Sequence, residues 1–507
     1  MRKTLTLFNG LSGLINRVVS MIFLFCVRHY FTKYLDVEYL GFEGLFSNIL
    51  GLFSLVDLGL GNAISFNLYE PLHNQDRTLI SSIMAVYKKL YLAVGIIIFV
   101  LALCFSPFIL FFIKDYTLPE NTIRLYFLVY AMSVSITYFF SYKRTLIFAL
   151  QKNYIVMNID SVTKIVLSVV QIILLVRFSN YIFYLIAAIV VNFLGNVAIS
   201  LFLNKENQYD TKNIQPLSES FKNKLKKHVK ALAVTNISWQ GVSSTDNIII
   251  SSMIGVIDLA KNANYSIITM SINNIVATVL GGVSASIGDL IVEGDTVKIK
   301  KYFDRYCFIY CIVSSYAALG VYFVSAPLIT IWVGKRLVFS QFPVFLIAVS
   351  LFLTLNFRPL AEYQNYSGNF VYYKPYSIVA VIINIAASIV FAYFVGISGV
   401  FLGTTITYCF MISTVVSILY KKMFKSRQSE YYKKSLINFL PALISFVLLC
   451  LLKKYLPDSL ILQILLMITF ITIIYFLMVI LILKKTQDFC FFEKLIKQIL
   501  CKVIIKK

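Results

Sequence analysis

Apolar runs of about twenty residues or more recur from one end of this 507-residue chain to the other. At about 1.5 Å of rise per residue, a helix of that length crosses the roughly 30 Å hydrocarbon core of a bilayer. A soluble chain this long would need far more charge than the 14% present to cover its surface, and 59% of its residues are hydrophobic. The runs do not alternate apolar with polar, as the strands of a transmembrane barrel do. The fold class that follows is an all-α polytopic membrane protein.

Apolar windows place spans at 10–27, 40–66, 90–113, 125–142, 154–176, 180–203, 231–254, 264–288, 306–331, 342–368, 375–396, 398–420, 435–452 and 459–483, fourteen in all. The net charge of +23 is spread through the short connections between them, which argues against nucleic acid and makes charge a topology signal. With the N-terminus inside, 33 of the 46 Lys and Arg residues fall in inside segments and 10 in outside ones. That asymmetry predicts both termini on the cytoplasmic side. Arg2 and Lys3 before an apolar stretch imitate a signal peptide, but no small-x-small cleavage site follows, so the stretch reads as a retained first span.

The starts of spans one to six and seven to twelve differ by 216–224 residues, and Val37, Leu40 and Ser47 recur as Val256, Leu259 and Ser266 at a shift of 219. The organisation expected is a six-helix lobe (1–203), a basic cytoplasmic linker (204–230), a second six-helix lobe (231–422), two additional spans (423–483) and a basic amphipathic tail on the inner surface (484–507). Repeated halves are a common transporter plan, with the substrate site between them.

Charges inside spans cost about 2.5–3.5 kcal/mol each on the insertion scale and mark cavities or partners. Eight occur here: Arg17, Glu43, Asp57, Asp160, Lys164, Asp246, Arg358 and Glu362. On span one, Asn9, Ser12, Gly13, Asn16, Arg17 and Ser20 recur at steps of three and four and draw one polar stripe. Span seven repeats the design with Thr235, Asn236, Trp239, Ser243 and Asp246. Both stripes read as cavity lining; the alternative is a hydrogen-bonded seam between helices. Asp160 with Lys164, and Arg358 with Glu362, are four apart and read equally well as mutually neutralising pairs. Glu43 is expected to reach headgroups. Pro107, Pro327, Pro359 and Pro441 are expected to kink their helices.

Enzyme chemistry finds no footing. His29, His73 and His228 fall at span edges, no nucleotide-binding loop is present, and Gly59 and Gly61 follow no strand. The eight cysteines are scattered without a C-x-x-C pair, so neither a metal site nor a disulfide framework is expected. Uphill transport would therefore draw on an ion or substrate gradient.

Five short segments carry a resemblance. Asp57-Leu-Gly-Leu-Gly-Asn-Ala-Ile-Ser-Phe-Asn-Leu-Tyr-Glu-Pro-Leu72 closes span two and is followed by Tyr87-Lys-Lys-Leu-Tyr91. Thr245-Asp-Asn-Ile-Ile-Ile-Ser251 closes span seven, ahead of Ile254-Gly255 and Asn264-Tyr-Ser266. In this order they resemble the Wzx-type polysaccharide flippases of the multidrug/oligosaccharidyl-lipid/polysaccharide exporter superfamily. The resemblance implies two six-helix lobes around a central cavity. It also implies passage of an undecaprenyl-diphosphate-linked oligosaccharide from the inner to the outer leaflet of a bacterial plasma membrane, for capsule or O-antigen-type polysaccharide. It assigns phosphate binding to Arg17, and ion coupling or gating to Asp57 and Asp246. Asn9, Asn16, Ser20, Asn236, Trp239, Lys164 and Arg358 complete the expected substrate-binding set. No cofactor beyond an H⁺ or Na⁺ coupling ion is implied, the chain is expected to be a monomer, and the implied partners are membrane lipids, a polysaccharide polymerase and chain-length machinery.

Independently of that family, a diphosphate in a low-dielectric cavity calls for Arg, whose guanidinium donates two hydrogen bonds at once, and sugar hydroxyls call for Asn, Ser and Thr. Two other readings compete. A cation-coupled multidrug antiporter of the same fold predicts an acidic cavity, which Arg17 opposes. A membrane enzyme predicts a large outside loop, yet the outside connections 28–39, 114–124, 255–263, 332–341 and 453–458 are short.

Overall fold

The computed structural model describes residues 2–57, 60–205, 219, 245–280, 287, 290–291, 293–367 and 370–493. Among these the chain is helical, and ten helices are long and apolar enough to cross a membrane. It is a multi-pass membrane protein. It divides into two compact units, Met1–Ala260 and Lys261–Lys507.

The first unit holds α1 (Arg2–Tyr34), α2 (Val37–Phe53), α3 (Leu60–His73), α4 (Arg77–Phe105), α5 (Glu120–Ala149), α6 (Asn153–Phe178) and α7 (Tyr181–Lys205), and ends in the first turns of α8 (Val256–Leu280). Its tightest pairings are α1 with α6, α4 with α5, and α7 with both α5 and α6. Asp36 and Asp76 cap α2 and α4, their carboxylates accepting from the amides of Glu38 and Leu79 at 3.3 and 2.9 Å. α4 gives way at Ser106 to a 3₁₀ segment reaching Phe112, where Pro107 has no N–H to offer an α-helical ladder.

Span two is not the single helix expected over 40–66. α2 stops at Phe53, a 3₁₀ turn occupies Ser54–Asp57, and α3 starts at Leu60. The break coincides with the glycine-containing motif that opens at Asp57. A second irregularity is a π-helical turn at Ile250–Ile254, closed by Gly255 at φ +143°, a backbone region costly for any other residue.

Helices α2 and α8 begin at Val37 and Val256, in register with the 219-residue sequence echo. Within the first unit their first turns touch so closely that a Cβ on Gly41 would collide with Val256. Glycine is required there by proximity, not by its torsion angles. Nearby, Lys114 donates its amide to the Ser251 carbonyl at 3.1 Å and its Nζ to the Met253 carbonyl at 3.3 Å.

The second unit holds the rest of α8, then α9 (Thr296–Val333), α10 (Gln341–Tyr366), α11 (Phe370–Val395), α12 (Ile397–Lys422), α13 (Ser429–Leu452) and α14 (Leu460–Leu483). Asp295 caps α9, accepting from the amides of Val297 and Lys298. The α11–α12 pair packs backbone to backbone, because Gly399 and Gly403 leave no Cβ between themselves and Phe391 and Ser388. α13 and α14 dock on α9 through an apolar cluster that includes Phe308, Leu319, Leu449, Met467, Ile471 and Tyr475. Pro327, Pro359 and Pro441, expected to kink their helices, all lie inside continuous helices.

Candidate functional site

The polar stripe of α1 splits between two environments. Asn16 donates its Nδ2 to the Met157 carbonyl at 3.0 Å and to Ser161 Oγ at 2.9 Å, which fastens it into the α1–α6 seam beside Gly13. Ser12 is buried and Ser20 half-buried. Arg17, one residue on and about 100° around the helix, is exposed at the protein surface. The side chain of Asn9, and the whole of Asn236 and Trp239, lie outside the described residues.

About three turns beyond Arg17 on the same helix, Arg28 faces Glu43 of α2 at 3.6 Å, with both side chains largely withdrawn from solvent. Lys164 of α6 lies within electrostatic reach of this pair, as do Tyr130, Tyr181 and Tyr184 with respect to Glu43. Glu43 therefore does not extend to headgroups as its place near a span end had predicted. It sits in an interior cluster of two cations, one carboxylate and three phenols.

The other pairing of Lys164, with Asp160, gives way to a stronger one. Asp160 accepts two parallel hydrogen bonds from Arg144 of α5, at 2.8 and 2.9 Å, while Asn196 Oδ1 of α7 accepts from the Arg144 Nε at 3.1 Å. A fork-to-fork guanidinium–carboxylate contact outcompetes an i,i+4 ammonium because it satisfies both oxygens at once. Arg144 and Arg28 were both invisible as site residues, since each lies just past an apolar window. The helices run on: α1 to Tyr34 and α5 to Ala149.

Asp57 occupies the helix break itself. It is half-buried, its Oδ1 is shielded from solvent with no hydrogen-bond partner among the described residues, and Tyr91 and Tyr138 lie within its electrostatic reach. Broken helices in transporters commonly present such polar groups to ions. Asp246 is half-buried on the helical residues 245–249 that lead into the π turn.

In the second unit, Arg358 and Glu362 of α10 do pair, at 3.6 Å, and Glu362 also accepts a hydrogen bond from Tyr306 Oη at 2.8 Å. Tyr306 in turn packs edge-on against Tyr310 at 5.0 Å. Asn356, on the same helix, donates to Ser314 Oγ at 2.7 Å. Among the described residues no cluster of three or more His, Cys, Asp or Glu side chains is arranged to hold a metal ion.

No protein-family model and no curated protein sequence matches the chain. Solved structures do. The lipid II flippase MurJ in an inward closed conformation superposes with a TM-score of 0.68 at 15% identity, over 94% of this chain and 99% of its own. An inward-facing multidrug resistance MATE transporter of the MOP superfamily gives 0.58 at 15%, over 83% and 99%. A Vibrio cholerae MATE transporter gives 0.57 at 15%, over 83% and 98%. At this identity the likeness is one of fold, and the fold of this chain is the one shared by the lipid II flippase and the MATE transporters of the MOP superfamily.

Proposed function

We propose that the protein is a flippase that moves an undecaprenyl-diphosphate-linked oligosaccharide from the inner to the outer leaflet of a bacterial plasma membrane, by alternating access, for capsule or O-antigen-type polysaccharide. In this reading the chain has fourteen spans, adding α1, the broken α2–α3 pair, the segment 231–254 and α8 to the ten apolar helices, with both termini cytoplasmic.

The observation that carries the reading is Arg17. It sits midway along a 33-residue helix, beside a neighbour locked into the α1–α6 seam, with its own side chain exposed. A guanidinium at that depth is too costly to leave bare in lipid, so it marks a polar environment, which a polyanionic substrate would suit. The Arg28–Glu43–Lys164 cluster adds net positive charge to the interior of the same unit. A diphosphate suits such a lining and a cationic drug does not. The lipid II flippase structure also superposes over more of this chain than either of these MATE transporters does, 94% against 83%.

Asp57, at the helix break, is the residue we assign to ion coupling or gating, together with Asp246. The second reading, a cation-coupled multidrug antiporter, draws on the same shielded carboxylate and on the MATE structures. A polysaccharide polymerase and chain-length machinery are the partners this function calls for, and the working unit is a monomer.

The test is the sidedness of a labelled lipid-linked oligosaccharide in sealed proteoliposomes. Movement that requires the protein and is lost in Arg17→Ala supports the flippase. If nothing moves with or without an imposed H⁺ or Na⁺ gradient, the antiporter takes its place.

A further inference from the structure

The second unit contains a cavity of about 420 Å³ that the transport reading does not use. It opens between the first turns of α9, the α12–α13 connection, the start of α13 and the residues after α14, and its charged lining is Lys300, Lys301, Asp304, Arg305, Lys434 and Asp488.

Two of the four cations are already committed. Lys300 donates to Ser426 Oγ at 3.0 Å and pairs with Glu430. Lys434 pairs with Asp304 at 2.6 Å and lies within electrostatic reach of Asp488 as well. One ammonium thus serves both carboxylates of the cavity wall. Lys301 and Arg305 have no carboxylate partner among the described residues.

These two are four apart on α9, so they share a face, and like charges in that register repel unless an anion lies between them. Arg305 is held in place: its guanidinium carbon lies over the Phe491 ring, 3.9 Å from the ring centre, with the Tyr302 ring at 5.6 Å, and neither ring takes up its N–H donors as a carboxylate would. Phe491 belongs to a stretch whose neighbours Phe489 and Phe492 pack into the α9–α13–α14 core. The polypeptide after α14 is therefore what positions the arginine.

Depth points to the occupant. α9 has 38 residues, about 57 Å at 1.5 Å per residue, whereas its apolar stretch covers only 306–331. Lys301 and Arg305 stand immediately outside that stretch, at the level of phospholipid headgroups.

We infer that Lys301 and Arg305 form a phosphate-ester site that holds the headgroup of an anionic phospholipid against α9. The same chemistry would accept a soluble phosphate ester, and the experiment separates the two sources. The site goes beyond the transport reading, and its test involves no translocation.

Full-length protein reconstituted in phosphatidylcholine with phosphatidylglycerol is extracted, and the phosphatidylglycerol it retains is counted by native mass spectrometry. The native protein is expected to retain it in preference to phosphatidylcholine, and Lys301→Gln with Arg305→Gln to lower that retention at least about tenfold, the size of losing one charge-assisted contact. Lys298→Gln is the control: Lys298 lies on the same overhang, pairs with Glu293 and does not line the cavity. Because Arg305 is packed, the exposed single variant Lys301→Gln is measured in parallel, with the melting temperature as a check on folding. If inorganic phosphate displaces the lipid at millimolar concentration, the source is a soluble ester; if it does not, the source is the bilayer. Equal retention by native protein and both Lys301 variants overturns the site, as does an equal loss from Lys298→Gln.

Discussion

The interior of the first unit and the C-terminal pair α13–α14 solve opposite problems with the same helical geometry. The first keeps Arg28, Glu43, Lys164, Arg144, Asp160 and Asp57 inside a membrane protein, each against a partner or a helix break. The second has no charged residue between Asn438 and Leu452 or between Leu460 and Leu483, and docks on α9 through aliphatic and aromatic packing with two hydroxyl contacts. In a bilayer, apolar helices gain little by leaving lipid for each other, so the pair is held by shape and a few hydrogen bonds. Charged helices carry the cost of each polar group and need a reason to keep it. The contrast divides the molecule into a part arranged for chemistry and a part arranged for packing.

The most damaging change on the charged side is expected to be Arg17→Ala. If Arg17 contacts the diphosphate, its loss removes about 1.5–3 kcal/mol of charge-assisted hydrogen bonding, a fall of roughly ten- to a hundredfold in flipping. Protein level in the membrane should stay near normal, because the α1–α6 seam is fastened by Asn16 instead. Normal export in the Arg17→Ala strain would remove the phosphate role.

Arg144→Ala should damage stability before transport. It strips Asp160 of two hydrogen bonds and Asn196 of a third, at a cost of about 1.5–3 kcal/mol. Thermal unfolding in detergent measures the loss. Combining it with Asp160→Asn should recover part of it, since the carboxylate is then no longer left unpaired. A double variant as unstable as the sum of the singles would mean the two groups are uncoupled.

How far the sequence foretold this division depends on the residue. Hydropathy windows located the apolar helices because crossing a bilayer takes a run of about twenty residues. They also placed Arg358 beside Glu362, a pair set by local i,i+4 geometry. The same local rule offered Lys164 as a partner for Asp160, yet Arg144 reaches it from another helix, and nothing in one sequence records that approach. Windows truncate helices as well: Arg28 and Arg144 looked like loop charges, although α1 and α5 continue through them. The break at Ser54–Asp57 was present as a motif but not as a break, since glycine within an apolar run is compatible with either. The stripe of α1 was legible as polar. Its division into a seam residue, Asn16, and an exposed one, Arg17, came only from the position of α6.

Asp57→Asn is a milder test of the charged side. The amide keeps the size of the side chain and removes its ability to exchange a proton or hold Na⁺. Flipping should continue, several-fold slower, and lose its response to an imposed gradient. A variant that still answers the gradient shifts coupling to Asp246, and one that fails to reach the membrane marks Asp57 as a structural support for the α2–α3 break.

The smallest effect belongs to the packing side and tests whether the division holds at all. Tyr475 of α14 is fully buried and donates its hydroxyl to the Ile312 carbonyl of α9 at 3.0 Å. Tyr475→Phe keeps the ring in place and removes that one bond. In a membrane protein such a bond contributes about 0.6 kcal/mol, seldom above about 1.7, and the Ile312 carbonyl remains available to its own helix. The melting temperature in detergent should therefore fall by no more than a few degrees, and flipping should be unchanged. A large loss of transport without a matching loss of stability would show that α14 takes part in handling the substrate. Packing would then not be the whole role of the C-terminal pair, and its hydroxyls, Thr472 opposite Tyr316 included, would become the next residues to vary.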